Sequence, residues 1–166
     1  IDYTGVDSLG DFTITYDSTN SYIVLTDANG GVIKFSSIEN LTVGDYAYTR
    51  VQESGPDNDY ADAYWNATEA ILYLWDGNSS AGISNVLSPT DDNALPGLTK
   101  TMDVTVYGSD GYDYFNLNIN RTDDYTGNWT LNMGAGNDSL GAAALINGDS
   151  VDMGAGDDTV GLMINS

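Results

Sequence analysis

Two nine-residue near-copies, twenty residues apart, constrain this chain more than any other feature. Met133-Gly134-Ala135-Gly136-Asn137-Asp138-Ser139-Leu140-Gly141 recurs as Met153-Gly154-Ala155-Gly156-Asp157-Asp158-Thr159-Val160-Gly161. Each copy has a glycine turn, then an acid, then an apolar residue two places on. The beat extends outside the copies. Leu131 is nine residues before Leu140, Val151 is nine before Val160, and Asp149 is nine before Asp158, with two residues inserted between the two pairs. A fixed short period is the mark of a chain that stacks on itself, and nine residues is a β-helix period.

The stretch Trp129 to Asn165 resembles the calcium-binding nonapeptide repeat of RTX (hemolysin-type) proteins, G-G-x-G-x-D-x-U-x. The second glycine of that motif matches Gly134 and Gly154, the next glycine Gly136 and Gly156, the aspartate Asp138 and Asp158, and the apolar position Leu140 and Val160. Met133 and Met153 stand where the family has its first glycine. An upstream element, Gly108-Ser109-Asp110-Gly111-Tyr112-Asp113, fits the same phase with serine at the second glycine, so the resemblance spans about Gly108–Asn165. It implies a parallel β-roll with calcium held in the loops between coils. The implied ligand set is Gly134, Gly136, Asn137, Asp138, Gly154, Gly156, Asp157 and Asp158, extended to Asp110, Asp113 and Asp149. Elementary chemistry agrees. Glycine permits the positive φ of a sharp turn that bares carbonyls, calcium takes six to eight oxygen ligands, and Asp138 and Asp158 one coil apart would repel without a cation between them.

Charge points the same way. The chain of 166 residues carries four Lys and Arg against 25 acids, a net charge of −21. All but three of the acids are aspartate, which suits turns and oxygen-rich cation sites better than a solvated helix surface. Such a balance excludes nucleic acid and anionic membrane as partners, because both need basic patches. Cysteine and histidine are both missing, which excludes disulfides, the usual zinc sites and a histidine base. No apolar run reaches membrane-spanning length. The chain starts at Ile1 and stops just after a repeat strand, and reads as a piece of a longer protein.

Upstream of the repeats the pattern changes twice. Residues 1–50 read as β-rich coils: Phe12, Ile14 and Tyr16 alternate with threonines, Tyr22 to Thr26 is a β-branched run, and Asp27-Ala28-Asn29-Gly30-Gly31 is a turn before the strand Val32 to Phe35. Residues 51–101 read as an insertion. Tyr60, Tyr64, Ala67, Ile71 and Leu74 recur at helical spacing, which predicts a helix over 59–75, although the composition of Ile71 to Trp75 also suits a strand. Asp57, Asp59 and Asp62 fit either a helix N-terminus or a cation cluster. Residues 77–100 read as a long loop. Residues 102–166 return to β, with Val104 and Val106, then Phe115, Leu117 and Ile119, facing inward.

The twelve tyrosines and three tryptophans raise the question of sugar stacking, but core filling is the more ordinary use for them, and nothing in the sequence puts Trp65, Tyr73 and Trp75 on one exposed face. No nucleophile–base pair, phosphate loop or dinucleotide fingerprint is present. The sequence therefore reads as an all-β, right-handed parallel β-helix or β-roll with an inserted helical or loop segment. It is expected to be no enzyme. The expected role is a calcium-dependent structural module of a secreted bacterial surface protein, of adhesin or S-layer type, whose partners are calcium and copies of itself or other cell-surface components. The alternatives are a glycan- or peptide-binding adhesin module using the 57–100 segment, and the non-catalytic part of an RTX-linked secreted hydrolase, lyase or epimerase.

Overall fold

A computed structural model describes residues 6–17, 19–20, 22–51, 63–74, 94–116 and 125–163. The protein is all-β. After a 3-10 turn, Leu9–Asp11, come β1 (Phe12–Asp17), β2 (Tyr22–Asp27), β3 (Val32–Phe35), β4 (Asn40–Val43), β5 (Tyr46–Val51), β6 (Ala63–Asn66) and β7 (Ile71–Leu74). They are followed by β8 (Val104–Tyr107), β9 (Tyr114–Asn116), β10 (Trp129–Asn132), β11 (Ser139–Ala143), β12 (Ser150–Asp152) and β13 (Thr159–Leu162). Among the described residues no helix is long and apolar enough to cross a membrane.

The strands form three sheets. β1-β2-β3 is one, β12-β10-β8-β7-β6-β5-β4 is the second, and β13-β11-β9 is the third. Pairing is antiparallel throughout β1 to β7 and parallel from β7 onward. The residues before 51 therefore form hairpins rather than stacked coils. Their turns close locally: the Asp27 carboxylate accepts the N–H groups of Asn29 and Gly31, both at 2.8 Å, and Gly30 takes φ +81°.

The helix expected over 59–75 does not form where the chain is described. Ala63–Asn66 and Ile71–Leu74 are a hairpin at the middle of the largest sheet, not an insertion beside it. Two local features select the turn. The Asn66 side chain accepts the N–H groups of Thr68 and Glu69, and Ala70 sits at φ +55°, which an α-helix cannot contain. Asp57, Asp59, Asp62, Trp75 and most of the 77–100 loop lie outside the described residues.

The seven-stranded sheet is the middle of three layers. One face carries Trp65, Leu72, Val106, Trp129 and Leu131 against Phe115 and Leu140 of the parallel three-stranded sheet. The other carries Tyr48, Tyr64 and Tyr73 against Phe12, Ile14, Ile23 and Leu25 of the first sheet. Each large side chain buried here contributes about 1.5–3 kcal/mol.

From β8 on, the chain alternates between the parallel part of the seven-stranded sheet and the parallel three-stranded sheet, so that β8 with β9, β10 with β11, and β12 with β13 make three tiers. The nine-residue beat is this alternation. Leu131 pairs with Val151 and Leu140 with Val160, each twenty residues apart, while Trp129 pairs with Val104 and Ser139 with Tyr114 at a spacing of 25.

Candidate functional site

The repeat loops stack along one edge of the tiers. Loop 134–138 lies directly beside loop 154–158: Ala135 and Ala155 bridge, Ala155 N–H donates to Gly134 O at 3.0 Å, and Gly136 N–H donates to Ala155 O at 2.8 Å. This closeness requires glycine. A Cβ on Gly154 would stand 1.6 Å from Gly134 O, and one on Gly156 1.5 Å from Gly136 O. The tier before shows the same contact, with Gly134 against Ser109 O and Gly136 against Gly111 O. All four glycines take positive φ.

The methionine that opens each repeat has a place as well. Met133 is fully buried in the core between the parallel sheets, and Met153 packs partly buried against the same core. The position serves packing rather than turning.

A ladder of carboxylates runs down this edge. Asp113 N–H donates to Asp138 Oδ1 at 2.9 Å, and Asp138 N–H donates to Asp158 Oδ1 at 2.9 Å. One exposed bond runs the other way, from Asp157 N–H to Asn137 Oδ1 at 2.9 Å. Asp113 is buried, and its Oδ2 accepts both the N–H and the hydroxyl of Ser109.

Asp138 is the unusual member. It is 1 % exposed, and its Oδ2 is buried with no hydrogen-bond partner. Burial pushes its carboxyl above the ordinary 3.8 and the charge of Asp158 adds to this, against the N–H of Asp113, which favours the anion. An ionised, desolvated oxygen without a donor is costly, and this one sits between two tight glycine loops.

Of the expected ligands, Gly134, Gly136, Asn137, Asp138, Gly154, Gly156, Asp157 and Asp158 come together in the two adjacent loops, and Asp113 joins them from the tier before. Asp149 is elsewhere, at the turn before β12, where its Oδ1 accepts Trp129 N–H and its Oδ2 accepts Ile146 N–H. Asp110 is exposed and lines a cleft beside β1. Sequence reasoning missed Asp103, whose carboxylate accepts Asn128 N–H at 2.8 Å across tiers; its partner lies 25 residues away, and no local signal announces it.

Among the described residues no three acidic side chains gather closely enough to hold a metal by carboxylates alone. A cation at the 134–138 and 154–158 loops would thus need backbone carbonyls beside Asp138 and Asp158. The donor chemistry fits calcium, which accepts carbonyl and carboxylate oxygens together, and the orphaned Oδ2 of Asp138 is the atom such an ion would satisfy. No family model, curated protein or solved structure matches the chain.

Proposed function

We propose that this chain is a calcium-dependent structural module of a secreted bacterial surface protein, of adhesin or S-layer type, whose tiers form a parallel β-roll and which does no chemistry of its own. The observation that carries the reading is Asp138. Its buried Oδ2 lacks a donor between two glycine loops in twenty-residue register. A divalent cation there would neutralise the Asp138 and Asp158 pair and tie one tier to the next. The net charge of −21 supports the same partner, since clustered carboxylates are relieved by counter-ions. A repeating tier is also a rigid unit that extends by stacking, which suits architecture.

The test is thermal unfolding by circular dichroism with calcium and with chelator. Calcium at a hundred times its dissociation constant should add about 2.7 kcal/mol of stability. Asp138→Asn should lose most of that gain, and without calcium should be more stable than the parent chain, because the buried charge is gone. Equal melting temperatures in calcium and in chelator would overturn the proposal.

A further inference from the structure

The first sheet does not cover the whole outer face of the seven-stranded sheet. Where its cover stops, a cleft of about 490 Å³ opens between β1 and the β7–β8 pair, within the size range of ligand sites. Its floor is aromatic. Tyr73 and Tyr107 face each other in register on β7 and β8 and stack with ring centroids 5.4 Å apart and planes 18° off parallel. Tyr73 is 8 % exposed, whereas Tyr107 is 40 % exposed and offers its ring to the opening.

The rims are acidic. Asp11 lines one side and Asp110 the other, and no lysine or arginine among the described residues lines the cleft. Asp11 is held ionised: the N–H groups of Asp7 and Ser8 donate to its Oδ2 at 2.9 and 2.8 Å, and these bonds lower its pKa. Tyr73 stays neutral, its phenol pushed up to about 12 by burial first and then by Tyr48, Tyr107, Asp11 and Glu69. Gly10 keeps the phenol end open, since a Cβ there would stand 2.9 Å from the Tyr73 hydroxyl.

Every charged or quadrupolar feature of the cleft has the same sign. Tyrosine faces are electron-rich and attract cations, and two carboxylates flank them with no basic residue between. An anion would be repelled. A neutral sugar would stack on Tyr107 and donate hydroxyls to the carboxylates, but it would leave their charge unneutralised, which a cation does not. A bare metal ion would find an aromatic floor in place of an oxygen shell.

We propose that this cleft binds a small organic cation of the alkylammonium or guanidinium class, seated on Tyr107 with Asp11 and Asp110 as counter-ions. The cleft borders the repeat edge through Ser109, whose carbonyl accepts Ala135 N–H, but Tyr107, Asp11 and Asp110 lie outside the 134–138 and 154–158 loops, so its occupancy does not rest on calcium binding there.

The test is an NMR titration of the 166-residue chain at constant calcium, with n-butylammonium and n-butylguanidinium against n-butanol and methyl glucoside. Both cations should shift the amides of Gly10, Gly108 and Asp110 saturably, more weakly in high salt, and the neutral probes should not. Tyr107→Ala and Asp110→Asn should each weaken cation binding several-fold to about tenfold, and Gly10→Leu, which fills the cleft without altering charge, should abolish it. Asp45→Asn, an exposed acid outside the cleft, should change nothing. Salt-resistant binding of the glucoside at the same amides would overturn the cation in favour of a sugar. Cation affinity unmoved by Tyr107→Ala and by Gly10→Leu would overturn the site itself.

Discussion

The two halves of the molecule use one residue type in opposite ways. In the antiparallel half, Asp and Asn oxygens cap amides a few residues along the chain: Asp17 caps Thr19 and Asn20, Asp27 caps Asn29 and Gly31, and Asn66 caps Thr68 and Glu69. In the parallel half they reach across tiers, from Asp138 to Asp113, Asp158 to Asp138, Asp149 to Trp129 and Asp103 to Asn128. The first arrangement makes each hairpin self-sufficient. The second makes each tier dependent on its neighbour and brings like charges close, the arrangement on which the proposed calcium dependence rests. Backbone spacing is tightest in the parallel half, where a Cβ on Gly154 or Gly156 would stand within 1.6 Å of a carbonyl, against 2.2 Å at Gly44 and open space at Gly30 in the antiparallel half.

The widest separation of the halves should come from glycine. Gly136→Val puts a Cβ 2.1 Å from Gly111 O at φ +134°, so neither backbone can yield cheaply. A loss on the order of 4 kcal/mol or more is expected, with calcium response lost as well. Hydrogen exchange should show β10 to β13 opening while β1 to β3 remain protected. Uniform loss of protection across all strands would break the comparison and make the two halves one cooperative unit.

A smaller effect, confined to the antiparallel half, is expected from Asp27→Ala. Losing the Oδ1 acceptor of two N–H groups at the β2–β3 turn should cost about 1–2 kcal/mol, equal in calcium and in chelator when read by denaturant midpoint. A calcium-dependent cost would show that the halves communicate.

The gentlest probe is pH. Asp11 and Asp17 are held below the ordinary 3.8 in the folded chain, Asp11 chiefly by the Asp7 and Ser8 backbone amides and Asp17 chiefly by the Asn20 side chain. Their contribution is present above that value and lost as pH falls through their folded pKa. Asp138 is raised above it, so in chelator its contribution is present below 3.8 and lost as pH rises through its folded pKa. Between pH 7 and 4, the stability gap by which calcium-free Asp138→Asn exceeds the parent chain should therefore narrow. A gap that stays constant would remove the buried charge from the account.

The sequence made the parallel half legible because its information is periodic. Leu131, Leu140, Val151 and Val160 fall on successive strands in the order and phase that the nine-residue beat predicts. The centre was misread for a physical reason. Ala63–Asn66 is buried at every position, because layers cover both faces of that sheet, so the two-residue alternation of a half-buried strand never appears. Tyr60, Tyr64 and Ile71 then mimic a helix by chance spacing. The repeat loops were readable from Gly134 to Asp158, but the orphaned oxygen of Asp138 was not, because it depends on how tightly two tiers close. The Tyr73 and Tyr107 stack was equally hidden, since only strand register brings together rings so far apart in sequence.

The Asp113, Asp138 and Asp158 ladder also has a direction in time. Each donor amide belongs to an earlier tier and each accepting carboxylate to the tier that follows. A chain made from its N-terminus offers Asp113 N–H before Asp138 exists, and Asp138 N–H before Asp158 does. Closure of a tier must therefore wait for the next one to be delivered. The edge is finished in chain order, each tier capped only when the following repeat arrives, which keeps the newest segment open until then.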